Sequence, residues 1–441
     1  MKTEIPYHKT HISIEIPDKN FVCSLVSNAG NFKTNGTEQE IVERALDNPV
    51  GSKSLEELVK GKRRMVIISS DHTRPVPSHV TMPILLRRIK KANPDIKITI
   101  LIATGFHRPT ARQELIDRYG SEIVAKEKIV VHRSREDEMA DLGTLPSGGK
   151  LLLNKIAIDT DLLIAEGFIE PHFFAGFSGG RKAVLPGIAS ATTVMANHCS
   201  EFIASPYART GILENNPIHR DMLYAAAQAK LAFILNVVID AKKQVIAAFA
   251  GDSEKAHVKG CEFVPNMSQV EKNPPDVVIT TNGGYPLDQN IYQSVKGMTA
   301  AEANCKAGGV IIMVAGLSDG HGGESFCKMV TKAQSPQKLL EELSRIPRDK
   351  TKPDQWEAQI LCRILSNHKV IMVTDMCDRR LITGMHMEHA KTFDEALARA
   401  FEIKGENATV SLIPDGVCVI PNASPWANRK ACPSVNTSKK F

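Results

Sequence analysis

The stretch Glu170-Pro171-His172-Phe173-Phe174-Ala175-Gly176-Phe177-Ser178-Gly179-Gly180-Arg181-Lys182 places a histidine, a glycine-rich turn and a lysine in one loop. Glycines let backbone approach a ligand closely. A phosphate can sit on the N–H groups of such a turn, here those of Ser178, Gly179 and Gly180. Lys182 can serve as a cation, a nucleophile or a point of covalent attachment. The turn is not a Walker loop: the G-x-x-x-x-G-K-[ST] spacing is absent, and Ala183 stands where a magnesium-binding hydroxyl belongs. Farther on comes His198-Cys199. One imidazole or thiol is a poor metal site alone, and no spacing in the chain supplies more donors, so they must come from elsewhere.

Two other loops carry similar chemistry. Ser70-Asp71-His72-Thr73-Arg74-Pro75-Val76-Pro77 is stiffened by its prolines, and Arg74 can grip a carboxylate or phosphate bidentately. A structural salt bridge or turn cap is the plainer role for Asp71 and Arg74. The second loop is Thr104-Gly105-Phe106-His107-Arg108-Pro109-Thr110, where Arg108 offers a similar grip. His107 or His172 alone reads as a capping residue. Two histidines at neighbouring strand ends can instead act as acid and base on opposite faces of one substrate. Tyr292, Gln293 and Lys296 follow Gly283-Gly284; Tyr292 and Lys296 share a helix face. They suit either a solvent-facing helix start or a polar grip on substrate across an interdomain cleft. His79, His132, His257 and His368 have no partner pattern and read as surface or packing residues.

These loops need elements to hold them. Apolar, β-branched runs at Arg64–Ser69, Ile96–Ala103 and Asp161–Ala165 each lead into one of the three strand-end loops. With helix-like segments at Met82–Lys91 and Ala111–Tyr119 between them, they read as buried strands of an α/β sheet. Ligands of open α/β sheets bind at the carboxyl ends of strands, where all three loops lie. Runs at Asp276–Thr281, Gly309–Ala315, Lys369–Thr374 and Thr409–Ile413 continue the pattern, with helices at Gln289–Lys306, Gln337–Arg345 and Thr392–Ile403. The expectation is an α/β protein of two domains, each a mainly parallel sheet flanked by helices, with the active site in the cleft between them. Pro274-Pro275 marks the boundary: residues 1–273 form the amino-terminal cofactor-binding catalytic domain, 274–420 a Rossmann-like domain and 421–441 a polar, basic tail.

Composition narrows the function. The 441 residues are 42% hydrophobic and 24% charged, the profile of a globular chain with a large core. The net charge of +6 is spread out and aromatics are only 5%, which argues against a nucleic-acid surface. Nine cysteines without a C-x-x-C pair read as reduced thiols of a cytoplasmic protein. No apolar stretch is long enough for a bilayer; Leu231–Ile239, the longest, is short and interrupted by Asn236. An ordinary NAD dehydrogenase is disfavoured because no G-x-G-x-x-G follows the first strand.

The strings Asp71-His72-Thr73-Arg74-Pro75, Ala103-Thr104-Gly105-Phe106-His107-Arg108-Pro109, Gly167–Pro186, Asn197-His198-Cys199 and Tyr292-Gln293-x-x-Lys296 resemble the nickel-dependent lactate racemases and their 2-hydroxyacid racemase and epimerase relatives. The resemblance covers about residues 68 to 297. It implies a nickel pincer nucleotide, a pyridinium-type mononucleotide, joined covalently to Lys182, with His198 as nickel ligand. It implies His107 and His172 as the acid–base pair, and Arg74, Tyr292, Gln293 and Lys296 as substrate ligands. Asp71, Ser178, Gly179 and Gly180 fall to the cofactor or its neighbours. The implied substrate is a small anionic 2-hydroxy acid, lactate first, and the implied partners are cofactor-assembly enzymes. A larger acid (malate, 2-hydroxyglutarate or a sugar acid) is the alternative within the family, and a non-catalytic nucleotide- or metal-binding protein the alternative outside it.

Overall fold

The computed structural model describes residues 1–28, 32–240 and 242–421. The expected apolar runs become the strands of two six-stranded sheets. In the first, the order is Val245–Gly251, Leu231–Ile239, Leu162–Phe168, Arg64–Ser70, Lys97–Ala103 and Lys128–Val131. Only the Val245–Gly251 edge is antiparallel. In the second, the order is Glu388–Ala390, Lys369–Val373, Val310–Val314, Val277–Thr280, Val410–Ile413 and Phe21–Ser24, all parallel. Helices cover the faces, so every residue of Leu162–Phe168 and of Val310–Val314 is buried. That two-sided burial is why these strands read as unbroken apolar runs rather than alternating ones.

The structure departs from the expected division in one respect. The amino terminus does not pack with the first sheet. Phe21–Ser24 pairs with Val410–Ile413 and closes the far edge of the second sheet. The hairpin of Lys2–Tyr7 and Thr10–Glu15 lays Ile5, Ile14 and Ile16 on the same core as Val277, Val310 and Leu412. The chain therefore starts in the second unit, builds the first and returns near residue 270. The reason is physical: Val410–Ile413 would otherwise expose an unpaired parallel edge. Pro274-Pro275 lies in the connection between Val270 and Val277. The tail expected from residue 421 lies, from 422 on, outside the described residues. Among the described residues, no helix is long and apolar enough to cross a membrane.

Three adjacent strands of the first sheet end at the same level. Ser70 pairs with Ala103, and Ile68 with Ala165 in the neighbouring strand. Their loops, from residues 71, 104 and 169, thus emerge side by side. The helix Ile291–Asn304 of the second unit starts opposite them, its end fixed by Asn290 Oδ1 accepting from the Gln293 N–H at 2.9 Å. Replacing Ile14 (2% exposed) by alanine should cost roughly 2–5 kcal/mol, as truncation of a core residue does. Urea unfolding would measure it, and an unchanged midpoint would separate the hairpin from the second core.

Candidate active site

One cleft of about 840 Å³ is lined by all twelve residues given a site role above: Asp71, Arg74, His107, His172, Ser178, Gly179, Gly180, Lys182, His198, Tyr292, Gln293 and Lys296. The loops at 71, 104 and 169 form one wall, and the second unit supplies the other.

The Asp71 carboxylate is spent on protein. Its Oδ1 accepts from the Thr73 hydroxyl at 2.7 Å, and its Oδ2 meets His107 Nδ1 at 2.6 Å. Burial opposes ionisation of Asp71, but the charge and hydrogen bond of His107, the charge of Arg74 and the hydrogen bond of Thr73 outweigh it and hold the carboxyl well below the usual range. An ionised Asp71 fixes Nδ1 of His107 as the donor, and no described residue bonds its Nε2. The loop itself is clamped by Arg118, which donates to the carbonyls of Asp71 and Arg74 at 2.6 and 2.5 Å.

His172 is arranged the other way. Its Nδ1 accepts from the Ala175 N–H at 3.2 Å and the Phe174 N–H at 3.5 Å, so the neutral ring carries its proton on Nε2. It stacks on Phe173 with ring centres 4.9 Å apart. Burial, then the charges of Lys182, Lys296 and Arg74, push its pKa well below 6.5. The same forces act on the lysines. Burial and the neighbouring cations depress Lys182 well below its ordinary value and Lys296 to about 8, with Glu170 opposing in both cases. Among the described residues, no carboxylate forms an ion pair with Arg74, Lys182 or Lys296.

His198 is 3% exposed and flanked by Phe174 (ring centres 5.1 Å) and Trp356 (5.0 Å). Its Nδ1 is buried without a partner, and burial together with Lys182 pushes its pKa down to about 3. The ring is therefore a neutral imidazole, the form that binds a metal. No group of three or more His, Cys, Asp or Glu side chains among the described residues is placed to hold a metal. A metal at His198 would take its remaining donors from a ligand. Cys199 starts the helix Ser200–Ala204 and is buried.

The glycine-rich turn differs from expectation in its reason. The Gly180 N–H is spent on Asn236 Oδ1 at 2.7 Å, and the Ser178 and Lys182 N–H groups bond the carbonyls of Glu170 and Gly179. A Cβ on Gly179 (φ +82°) would lie 2.7 Å from Asn236 and from the Phe168 carbonyl; one on Gly180 (φ +51°) would meet the His257 ring at 2.7 Å. These glycines are required by close packing of protein on protein. Arg181, 1% exposed, holds the turn from beneath. It donates to the carbonyls of Phe177 (2.8 Å) and Ala175 (2.7 Å) and to His219 Nδ1 (2.9 Å), and lies 3.0 Å from His257 Nε2, which also meets the Ser178 carbonyl at 2.9 Å.

Several lining residues carried no legible role in the sequence. Trp356 donates to the Tyr292 hydroxyl at 2.8 Å and packs edge-on against Phe106 of the first unit. Glu357 and His321 also line the cleft. Only their three-dimensional placement reveals them, since each sits in an ordinary polar stretch. Asn236 did leave a trace: it is the polar interruption in the apolar strand Leu231–Ile239. His257, expected to pack, does so against Arg181.

A two-unit α/β fold with two histidines, part-enclosed cations and a buried lysine in one interdomain cleft fits an enzyme acting on a small anion. Family models for the lactate racemase N-terminal and C-terminal domains match residues 7–211 and 270–421. The chain is 58% identical over 418 residues to the lactate racemases of Thermoanaerobacterium thermosaccharolyticum and Lactiplantibacillus plantarum. Those alignments cover 95% of this chain and 98% and 99% of the relatives. The lactate racemase apoprotein structure from T. thermosaccharolyticum superposes with a TM-score of 0.92 at 56% identity, covering 96% of this chain and all of that one. A Thermotoga maritima protein shares the fold at a TM-score of 0.68 and 19% identity, over 87% of this chain and 98% of that one. The chain belongs to the lactate racemase family, and it is an isomerase acting on a hydroxy acid.

The buried histidines make stability depend on pH. His172, His198, His219 and His257 all have pKa values lowered from 6.5, first by burial and then by nearby lysine or arginine charge. Below 6.5 the unfolded chain binds protons that the folded chain refuses, so stability is full above that pH and falls beneath it. Urea midpoints of the unloaded chain should drop steadily as the pH is taken from neutral towards 5. A flat profile would mean that these rings are not held neutral.

Proposed function

We propose that the chain racemises lactate, interconverting its D and L enantiomers. Membership of the family and 58% identity to two lactate racemases support the substrate. The observation that carries the mechanism is the pair of histidines in one cationic cleft, His107 held through Nδ1 by Asp71 and His172 held through Nδ1 by backbone amides.

Arg74 and Lys296 attract the substrate carboxylate, with Gln293 and Tyr292 orienting it. Arg74 and Lys296 have no ion-paired carboxylate among the described residues, so a bound anion relieves their mutual repulsion. His107 Nε2 takes the hydroxyl proton of one enantiomer. Asp71 stabilises the imidazolium that results, as a buried carboxylate behind a general base does. Removal of that proton, and of the C2 hydrogen with its electron pair, leaves a planar 2-oxo acid open on both faces. For the other enantiomer His172 exchanges the hydroxyl proton. To do so its Nδ1 must gain a proton and leave the Phe174 and Ala175 amides, whose bonds of 3.5 and 3.2 Å are long and weak. The negative charge of the substrate favours this step, because it offsets the lysine and arginine charges that hold the ring neutral.

The cleft fits the family cofactor. Lys182 offers an amine that burial biases towards its neutral form, with no hydrogen-bond partner among the described residues, suited to covalent attachment. His198 offers a neutral imidazole for nickel, and the cofactor would provide the other donors. When bound, the nickel pincer nucleotide supplies an electrophilic pyridinium carbon able to accept and return the C2 hydrogen as hydride. Enzymes that assemble this nucleotide are the expected partners, and the cytoplasm is the expected compartment.

Proton abstraction at C2 is the rival chemistry, and it is disfavoured because that C–H is far too weak an acid for histidine. Lactate deuterated at C2, racemised in ordinary water by the loaded enzyme, should keep its deuterium and react more slowly. Loss of the label to solvent at the rate of racemisation would overturn the mechanism.

A further inference from the structure

Glu357 is a buried carboxyl with an unpartnered oxygen. It is 1% exposed, lines the cleft on the helix Gln355–Asn367, and its Oε1 is buried without a hydrogen-bond partner. Among the described residues, no cation approaches it within ion-pairing distance. A buried carboxylate oxygen left without a partner is costly to keep charged, which favours the neutral acid. The charges around it agree. Lys296 and Tyr292 face it from the helix Ile291–Asn304, and Asp354 sits at the start of its own helix. The charged groups of the other packed helices point outward: Glu201 pairs with Arg348, Glu324 with Lys328, and Lys338 with Gln334. Burial and Asp354 raise the pKa of Glu357 well above 4.5, and Lys296 only partly opposes them.

We infer that Glu357 is a further substrate-binding residue, which as a neutral carboxylic acid donates a hydrogen bond to the carboxylate of the bound hydroxy acid. A carboxylic acid facing a carboxylate makes a short, charge-assisted hydrogen bond, stronger than one from a neutral amide or hydroxyl. The arriving anion strengthens the arrangement, because negative charge nearby further favours the protonated form of Glu357. Lys296, within electrostatic reach of both Glu357 and Glu170, then meets the same carboxylate as a cation. The substrate is gripped by Arg74 from the first unit and by Lys296 and Glu357 from the second. This rests on the reading of the cleft as the site of an anionic 2-hydroxy acid.

The test is calorimetric titration of lactate into the full-length unloaded chain, with the KM of the loaded enzyme measured alongside. Glu357→Met keeps the volume and removes the unpartnered oxygen, so it should fold, but it has no donor. Its Kd and KM should rise roughly tenfold, the loss expected for a hydrogen bond to a charged group. Glu357→Gln keeps an N–H donor and should recover most of that affinity, which a merely space-filling role would not predict. Because a raised pKa is lost from above, the wild-type advantage over Glu357→Met should shrink as the pH rises. A Glu357→Met chain that binds lactate like the wild type, or a Glu357→Gln chain no better than Glu357→Met, would overturn the inference. Arg74→Ala separates the two readings. If it alone loses affinity, only the role of Glu357 fails; if it too binds normally, the cleft is not the anion site.

Discussion

Positive charge gathered in a part-enclosed cleft is the constraint on which the rest of this structure depends. Beyond burial, Arg74 depresses the proton affinity of Lys182 and Lys296, Lys296 that of Lys182, and all three that of His172. Two like charges ~6 Å apart at an effective dielectric of about 20 repel by roughly 3 kcal/mol. Glu170 counters this only in part, and no carboxylate ion-pairs with these cations among the described residues. Asp71 is committed to His107, while Glu166 is occupied by the hydroxyls of Ser69, Ser78 and Thr81. The site is therefore completed by an anion from outside, and until one arrives His172, His198 and Lys182 are biased towards their neutral forms.

Holding such groups in place requires a rigid surround. Arg181 provides it below the lysine, its guanidinium satisfied by carbonyls and neutral histidines so that no carboxylate is needed. Above, a train of rings joins the two units: Arg135 over Phe106, Phe106 against Trp356, Trp356 against His198, His198 against Phe174, and Lys182 over Phe174. Successive partners are 5.0 to 5.7 Å apart. Two of the contacts cross the cleft through Trp356, so the proposed metal ligand and the lysine anchor are positioned by both halves of the molecule.

Much of this was legible in the sequence because parallel strands buried on both faces leave continuous apolar runs, and because their carboxyl ends carry the chemistry. That logic located the loops of His107 and His172 and their convergence. It failed for Phe21–Ser24, whose partner lies nearly four hundred residues away and whose four residues alternate in burial like any surface segment. It failed for Glu357 and Trp356, which are polar-stretch neighbours in sequence and cleft wall only in space. At the glycines 179 and 180 it could not show the packing on Asn236 and His257, since a missing Cβ reads the same whether it makes room for a ligand or for protein. Arg181 was visible but mute: its role follows from burial, which composition does not encode. The cofactor came from resemblance, because a lone His198 does not specify its own metal.

The central claim is that His107 and His172 work one substrate from two sides. Each should then be required in both directions, because every turnover begins at one and ends at the other. The direct measurement is the initial rate of D-to-L and of L-to-D conversion for His107→Asn and His172→Asn, with cofactor content matched to the wild type. The account predicts that each variant loses about 10²- to 10⁴-fold in both directions, the usual contribution of a general acid–base group. A variant that racemises at nearly the wild-type rate, or that is impaired in one direction alone, would contradict it.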